Sequence, residues 1–318
     1  MTKHNIRIVF MGTPDFAVAS LAALLEHDYK IVGVITAPDR KAGRGQKLKA
    51  SAVKTYAQEK GLTVLQPTNL KSEEFIEELQ SLEANLQVVV AFRMLPKVVW
   101  QMPALGTFNL HASLLPQYRG AAPIHWAVIN GESTTGVTTF FIDDKIDTGE
   151  IIAQESTSIS DTTTVGELHD KLMELGSALV VETVKQIEEG SVQRLKQTHE
   201  KDLKTAYKLN KDNTKIDWQL PLKQIYNKIR GLNPFPAAWC YLNNNEDNGI
   251  KVKLYNVDYT YEKHNKAIGL VIPDGHQLKI ACTDGYLLIK RLQLPGKRKM
   301  DVKALLNGYQ FNESARML

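Results

Sequence analysis

Cysteine is nearly absent. Cys240 and Cys282 are the only two in 318 residues, too few for a disulfide framework and without the spacing of a metal-ligand set. A reducing cytoplasm is therefore the expected setting, and no metal is expected. No apolar run approaches the ~20 residues of a membrane helix, and the opening MTKHNIRIVFMG lacks the apolar stretch of a secretory leader. A dinucleotide fingerprint is missing too. The first turn, FMGTPDF, has Gly12 alone, with Pro14 in the loop where G-x-G-x-x-G would need close backbone approach. Internal repeats and low-complexity tracts are also lacking.

What is present begins with an uneven charge. The net charge is +4, yet residues 207–318 hold 18 Lys and Arg against 10 Asp and Glu, while residues 1–206 hold 21 against 25. A basic module joined to a mildly acidic one points to a polyanionic partner for the tail. Aromatic residues interleave that tail (Tyr207, Trp218, Tyr226, Phe235, Trp239, Tyr241, Tyr255). They could stack on bases, although packing inside a small barrel accounts for most of them.

Apolar periodicity gives the architecture. IRIVFMG reads as a buried strand, Pro14 to His27 as a helix and KIVGVIT as a second strand, making a βαβ unit. LQVVVAF and GTFNLH add strands of the kind found in a parallel sheet covered on both faces. GVTTFFID and GEIIAQESTSI flank a turn, and a long helix runs from about Thr164 to Glu189, closed by Gly190. After a polar stretch, short strands near AWCYL, KVKLYNVDYTY, KAIGLVI, QLKIACT and GYLLIKRLQL suggest a small closed barrel. The expected fold class is α/β, with an N-terminal doubly wound, mostly parallel sheet and a C-terminal OB-like β-barrel. The expected domains are 1–192 and 207–318, joined by a linker over 193–206.

The chemistry concentrates in TFNLHASLLPQYRGAAP and FIDDKIDTGE. Asn109 and His111 lie two apart in a strand, so both side chains leave one face while Phe108 and Leu110 take the other. An amide donor and a proton-transfer group are thereby aimed at one point, where ligands bind beyond strand carboxyl ends. Asp147, in a DTG turn that leads back into a strand, adds a carboxylate, although Asp143 and Asp144 lie close enough to serve equally. Amide, imidazole and carboxylate suffice to move an acyl group without a metal or covalent nucleophile. The loop PDRKAGRGQKLK, with Arg40, Lys41, Arg44, Lys47 and Lys49 against Asp39, reads as a flexible clamp for a phosphate-rich substrate.

NLHASLLPQYRGAAP together with IDTG resembles the formyltransferases that use 10-formyltetrahydrofolate. The resemblance covers the chain, from MGTPDFA through PDRKAGRGQ to IRGLNPFPAAW. The full set is similar to the branch of that family acting on methionyl-tRNA, set apart by the basic loop and basic tail. Two departures stand out: Ala112 where glycine is common, and FRMLP in place of the more familiar AYG form.

The resemblance implies that Asn109, His111 and Asp147 are catalytic, with Asn109 donating to an oxyanion, His111 moving a proton and Asp147 orienting the imidazole. It implies folate contacts from Ser113, Leu114, Leu115 and Pro116, from the backbone of Phe92, Arg93, Met94 and Leu95, and from Ile142, Asp143 and Asp144. It implies methionyl-initiator tRNA as partner, with Arg44 reaching the acceptor stem and Arg40, Lys41, Lys47 and Lys49 beside it. No membrane partner is implied, and a monomer is the default. A formyltransferase for a small amine leaves the basic loop and tail unexplained. A non-catalytic RNA-binding protein leaves no reason for Asn109, His111 and Asp147 to coexist at a sheet edge.

Overall fold

The computed structural model describes residues 5–42, 47–198, 202–244 and 249–318. In chain order the first half contains β1 (Arg7–Gly12), α1 (Asp15–Glu26), β2 (Lys30–Ile35), β3 (Arg40–Ala42), β4 (Lys47–Lys49), α2 (Ala52–Glu59), β5 (Val64–Leu65), α3 (Glu73–Ser81), β6 (Leu86–Val90), α4 (Lys97–Trp100), β7 (Thr107–His111), β8 (Arg119–Gly120), α5 (Pro123–Ile129), β9 (Thr134–Phe141), β10 (Ile151–Ser158) and α6 (Val165–Glu189). The remainder contains β11 (Thr205–Ala206), α7 (Lys211–Thr214), α8 (Leu222–Gly231), β12 (Ala238–Asn243), β13 (Ile250–Tyr261), β14 (Val271–Asp274), β15 (Gln277–Ala281), β16 (Gly285–Gln293), β17 (Met300–Asp301), α9 (Val302–Leu306) and β18 (Arg316–Met317).

Packing gathers these elements into two units. The first holds Met1–Gly120, Thr135–Thr157 and His169–Thr205, and the second holds Ala121–Thr134, Ser158–Leu168 and Ala206–Leu318. The expected division at 192 and 207 assigns 121–134 and 158–168 to the first domain, whereas they pack in the second unit. Arg230 of α8 donates to the Ser160 and Thr163 carbonyls of the second stretch, and Gly231 serves the first. A Cβ there would meet Ile129 Cγ1 at 2.6 Å, so the missing side chain lets α8 close on α5.

The first unit is built on a seven-stranded sheet of order β10-β9-β7-β6-β1-β2-β5. Strands β5, β2, β1, β6 and β7 run parallel, and β9 pairs antiparallel with β7. Apolar runs that lack alternation become strands buried on both faces, as β6 is at all five positions. The chain leaves β1 toward β2 and β5, then returns to β6 on the other side. That reversal makes the carboxyl ends of β1 and β6 the topological switch point, the place where doubly wound sheets bind ligands. β7 lies next to β6 and ends at His111. On its core side Phe108 and Leu110 are buried, and Gly176 of α6 admits Leu110, whose Cδ2 would sit 2.8 Å from a Cβ at that position. Capping fixes the start of α6: Thr164 and Glu167 exchange side chain-to-backbone hydrogen bonds of 2.8 and 3.3 Å.

In the second unit, β14-β15-β16-β13-β12-β18 form a continuous ladder with β17 beside β16. An antiparallel bridge between Leu270 and Arg316 brings the two edges together, so the sheet curls into a nearly closed barrel. Its interior is apolar, filled by Leu222, Ile225 and Ile229 of α8 and by residues such as Cys240, Leu254, Leu278 and Leu287. Among the described residues no helix is long and apolar enough to cross a membrane.

Candidate active site

His111 is held from both sides of its ring. Its Nε2–H donates to the Tyr118 carbonyl at 2.8 Å. A carbonyl can only accept, so Nε2 carries hydrogen and Nδ1 is the nitrogen left for proton exchange. Nδ1 faces Oδ2 of Asp147 at 3.8 Å, with side-chain exposures of only 7 % and 14 %. That separation lies beyond hydrogen-bond reach but is close enough for the carboxylate to oppose a positive charge on the ring when Nδ1 takes up a proton. The group that orients the ring is therefore the Tyr118 carbonyl, which is invisible in the sequence because backbone acceptors leave no mark in a residue pattern.

Asp147 is the acidic residue of its loop that faces His111. It adopts a left-handed backbone, φ 55°, a conformation aspartate tolerates better than most residues. Its Oδ2 accepts the Gly120 N–H at 2.9 Å. Asp143 is used inside the loop, accepting from Lys145 N and from the Thr148 hydroxyl at 2.9 and 2.8 Å, and Asp144 is exposed. Gly149 closes the turn for lack of space, since a Cβ there would stand 1.7 Å from the Phe141 carbonyl oxygen.

Asn109 lies two residues before His111 on the same face of β7 and is half-buried. Among the described residues no group hydrogen-bonds its side-chain amide, which keeps both N–H donors free for a ligand.

The loop after His111 is fastened to the neighbouring strands. The Thr138 hydroxyl donates to the Ser113 carbonyl at 2.6 Å and accepts from Leu115 N at 3.1 Å. Gln154 Nε2 donates to the Leu115 carbonyl and to Thr138 Oγ1, both at 2.9 Å. A second set of ties comes from the segment after α6. Leu195 bridges Ile151, Gln197 reaches Arg119 and the Asp147–Gly149 turn, and the Lys204 carbonyl accepts from Tyr118 N at 2.7 Å. A stretch expected to be a plain linker thus contributes hydrogen bonds to both loops of the site.

Residues 6–184 match the formyl transferase family and residues 208–310 match its C-terminal domain. The methionyl-tRNA formyltransferase of Flavobacterium johnsoniae is 56% identical over 314 residues, 99% of this chain and 99% of that protein. The chain belongs to the methionyl-tRNA formyltransferase family. The Bacteroides fragilis methionyl-tRNA formyltransferase is 51% identical over 321 residues, covering 100% of this chain and 99% of that one. A sugar 3N-formyl transferase, WlaRD, solved in the presence of dTDP and 5-N-formyl-THF, has the same fold, with a TM-score of 0.64 at 22% identity over 93% of this chain and all of that one. The chain is accordingly a formyltransferase, and the family accounts for its two-part architecture.

Within a methionyl-tRNA formyltransferase framework, the segments expected to touch folate separate into two kinds. Phe92, Leu95 and Ile142 all pack on one apolar cluster, but at different ends of the sheet. Phe92 and Leu95 follow the carboxyl end of β6, whereas Ile142 donates its N–H to the carbonyl of Thr107 at the start of β7 at 2.9 Å. Met94, between Phe92 and Leu95, is 69 % exposed. Arg93 lies over the Phe92 ring and donates to the Thr68 and Pro67 carbonyls. Partial burial, then the nearby Arg40, pulls its guanidinium below the usual arginine range, which puts Arg40 of the basic segment near β6. The Ser113–Pro116 segment turns inward instead. Ser113 is fully buried with its hydroxyl donated to the Gln117 carbonyl at 2.7 Å, Leu115 packs with Phe140 and Ile151, and Leu114 lies against Gly136. Pro116 is half-buried.

The basic segment is less loop-like than expected. β3 and β4 pair antiparallel, with Arg40 opposite Lys49, Lys41 opposite Leu48 and Ala42 opposite Lys47. Asp39, hydrogen-bonded to Lys54 and Gln66 at 2.7 and 2.8 Å, ties its base to α2. Those two hydrogen bonds, from Lys54 first, hold the Asp39 carboxyl below its ordinary value. Arg40 and Lys49 are exposed, and Arg44 lies outside the described residues.

Proposed function

We propose that the chain transfers the formyl group of 10-formyltetrahydrofolate to the free α-amine of methionyl-initiator tRNA, acting as a monomer in the cytoplasm, with Asn109, His111 and Asp147 carrying the chemistry. The observation that supports this most directly is the Nδ1 of His111 set 3.8 Å from Asp147, next to an Asn109 amide with no partner among the described residues. The apolar side chains of Phe92 and Leu95 beyond the carboxyl end of β6 suit a flat ring system, and the folate supplies an activated formyl group on nitrogen.

The amine must attack as the free base, because its lone pair forms the new C–N bond. Negative charge then develops on the formyl oxygen. The Asn109 amide donates to it, and such a donor is worth about 3–4 kcal/mol. Nδ1 of His111 receives the proton lost by the amine and returns it to the departing nitrogen, a contribution on the order of 100- to 10,000-fold. Asp147 opposes the positive charge on the ring while that proton is held, and the Tyr118 carbonyl keeps the ring from turning. The tRNA reading is supported by the exposed Arg40 and Lys49 and by the lysines of the second unit.

The test is to incubate the protein with 10-formyltetrahydrofolate and charged initiator tRNA and to assay N-formylmethionine. Formation of the product, with a loss of kcat on the order of 100-fold or more in His111→Ala and a smaller loss in Asp147→Asn, is expected. No product, or near-parental turnover by His111→Ala, would falsify the assignment.

A further inference from the structure

We propose that Gln197, from the segment after α6, is a positioning residue for formyl transfer and acts through Asp147. The inference rests on the reading of His111 and Asp147 as the proton-transfer pair.

Its side chain uses its full hydrogen-bonding capacity at one junction. Oε1 accepts from Arg119 Nε at 3.1 Å and from Arg119 Nη2 at 2.6 Å. Nε2 donates to the Asp147 carbonyl at 3.0 Å and to the Gly149 carbonyl at 2.8 Å. Only an amide accepts on one end and donates twice on the other. A carboxylate cannot donate to the two carbonyls, and a lysine cannot accept from the guanidinium.

The two loops joined in this way are those that place the reacting pair. Gly120, next to Arg119, donates its N–H to Asp147 Oδ2 at 2.9 Å. Tyr118, on the other side of Arg119, accepts from His111 Nε2. Asp147 holds a left-handed backbone with φ 55°, and the Gln197 donors fix the carbonyls at that residue and two beyond it. Without them the turn is free to relax, and the carboxylate moves relative to Nδ1. Both loops belong to the same unit as Gln197.

Two substitutions and a double-mutant cycle test this. Gln197→Leu removes all four hydrogen bonds. Gln197→Glu keeps the acceptor for Arg119 and the side-chain size while removing the two donors, and a thermal melt of each variant separates a loss of position from a loss of fold. Each is expected to lower kcat about ten- to a hundredfold, the scale of a small misplacement of reacting groups, with KM for either substrate changed less than about twofold. In an Asp147→Asn background, Gln197→Glu should cost less than about twofold more, because both changes act on one group. If Gln197→Glu keeps kcat within about twofold of the parent, or if the two losses multiply, the positioning role is wrong while the proton-transfer pair survives. If Asp147→Asn alone turns over like the parent, the pair is wrong and the positioning role falls with it.

Discussion

The two units solve opposite problems with their polar groups. Of the thirteen buried polar or charged side chains among the described residues, ten belong to the first unit and three, Thr214, Asn227 and Arg230, to the second. In the first unit such groups are spent on placement: Thr138 and Gln154 pin the loop after His111, and Thr139 and Thr183 join β9 to α6 through hydroxyls 2.8 Å apart. The core of the second unit is apolar. Its one buried charge among the described residues, Arg230, is held by Asn227 and by the Ser160 and Thr163 carbonyls, and lysines lie against its aromatic rings. Lys251 lies 3.8 Å from the centre of the Trp239 ring, Lys215 lies 5.5 Å from that of Tyr241, and Lys299 sits 3.9 Å from that of Tyr255. Partial burial, then the positive neighbours Lys253 and Lys211, hold the Lys251 ammonium below lysine's usual range. A group that must sit within fractions of an ångström of a reacting atom needs an interior of satisfied hydrogen bonds. A surface that attracts phosphates only has to hold charge on a stiff frame.

The largest expected effect on this contrast comes from Asn109→Ala. It removes one amide that has no partner among the described residues, so stability should change little while the transition state loses about 3–4 kcal/mol. Steady-state kinetics set beside a thermal melt decide it. Parallel losses in both would mean that Asn109 is a fold residue.

Next come two glycines. Gly149→Ala drives a Cβ into the Phe141 carbonyl oxygen 1.7 Å away, and backbone cannot yield as a side-chain tip can. About 3 kcal/mol of stability, the upper end of ordinary overpacking, should be lost, with activity falling because the Asp147 turn moves. Gly275 of the barrel has φ 58° and nothing within 4 Å of a Cβ. Gly275→Ala should cost only the left-handed strain, about 1–2 kcal/mol, and leave turnover intact. Equal effects on turnover would erase the difference between the units.

Much of this was legible in the sequence where a period carried it. The strand–helix–strand opening, the near-continuous apolar run of β6, the two-residue spacing of Asn109 and His111 and the span of α6 follow from side-chain direction alone. The barrel followed from strand spacing. Its aromatic residues divide as packing demands: Trp218, Tyr226, Trp239 and Tyr255 are buried, while Tyr207 and Phe235 are 63 % and 78 % exposed. Hidden from the sequence were the Tyr118 carbonyl, the Gly120 amide and Gln197. They act through hydrogen bonds across 7, 27 and up to 78 positions, and no periodicity encodes such a pairing. The choice among Asp143, Asp144 and Asp147 was open for the same reason, since only the turn decides which carboxylate points inward.

A smaller effect is expected when surface charge is removed from the barrel. Lys215→Ala with Lys251→Ala should weaken tRNA binding modestly and flatten its salt dependence by roughly 0.7–0.9 in log–log slope for each phosphate that is no longer neutralised. The KM for the formyl donor should not move. Binding titrations at several salt concentrations measure both. An unchanged slope would assign these lysines to the frame of the barrel alone.

The smallest expected signal is chemical. Both cysteines of the chain lie in the second unit, fully buried, and burial pushes each thiol up to about 12. At pH 8 the thiols are then held in the protonated form, and neither is reachable without opening the barrel. Labelling by a thiol reagent should therefore be slow in the native protein and should report the opening of the second unit, blind to the first. Gly275→Ala should speed it, because it destabilises the barrel. Gly149→Ala should leave it unchanged if the units open independently. Labelling within seconds in the parent protein would show that the barrel is not the closed, apolar body its packing describes.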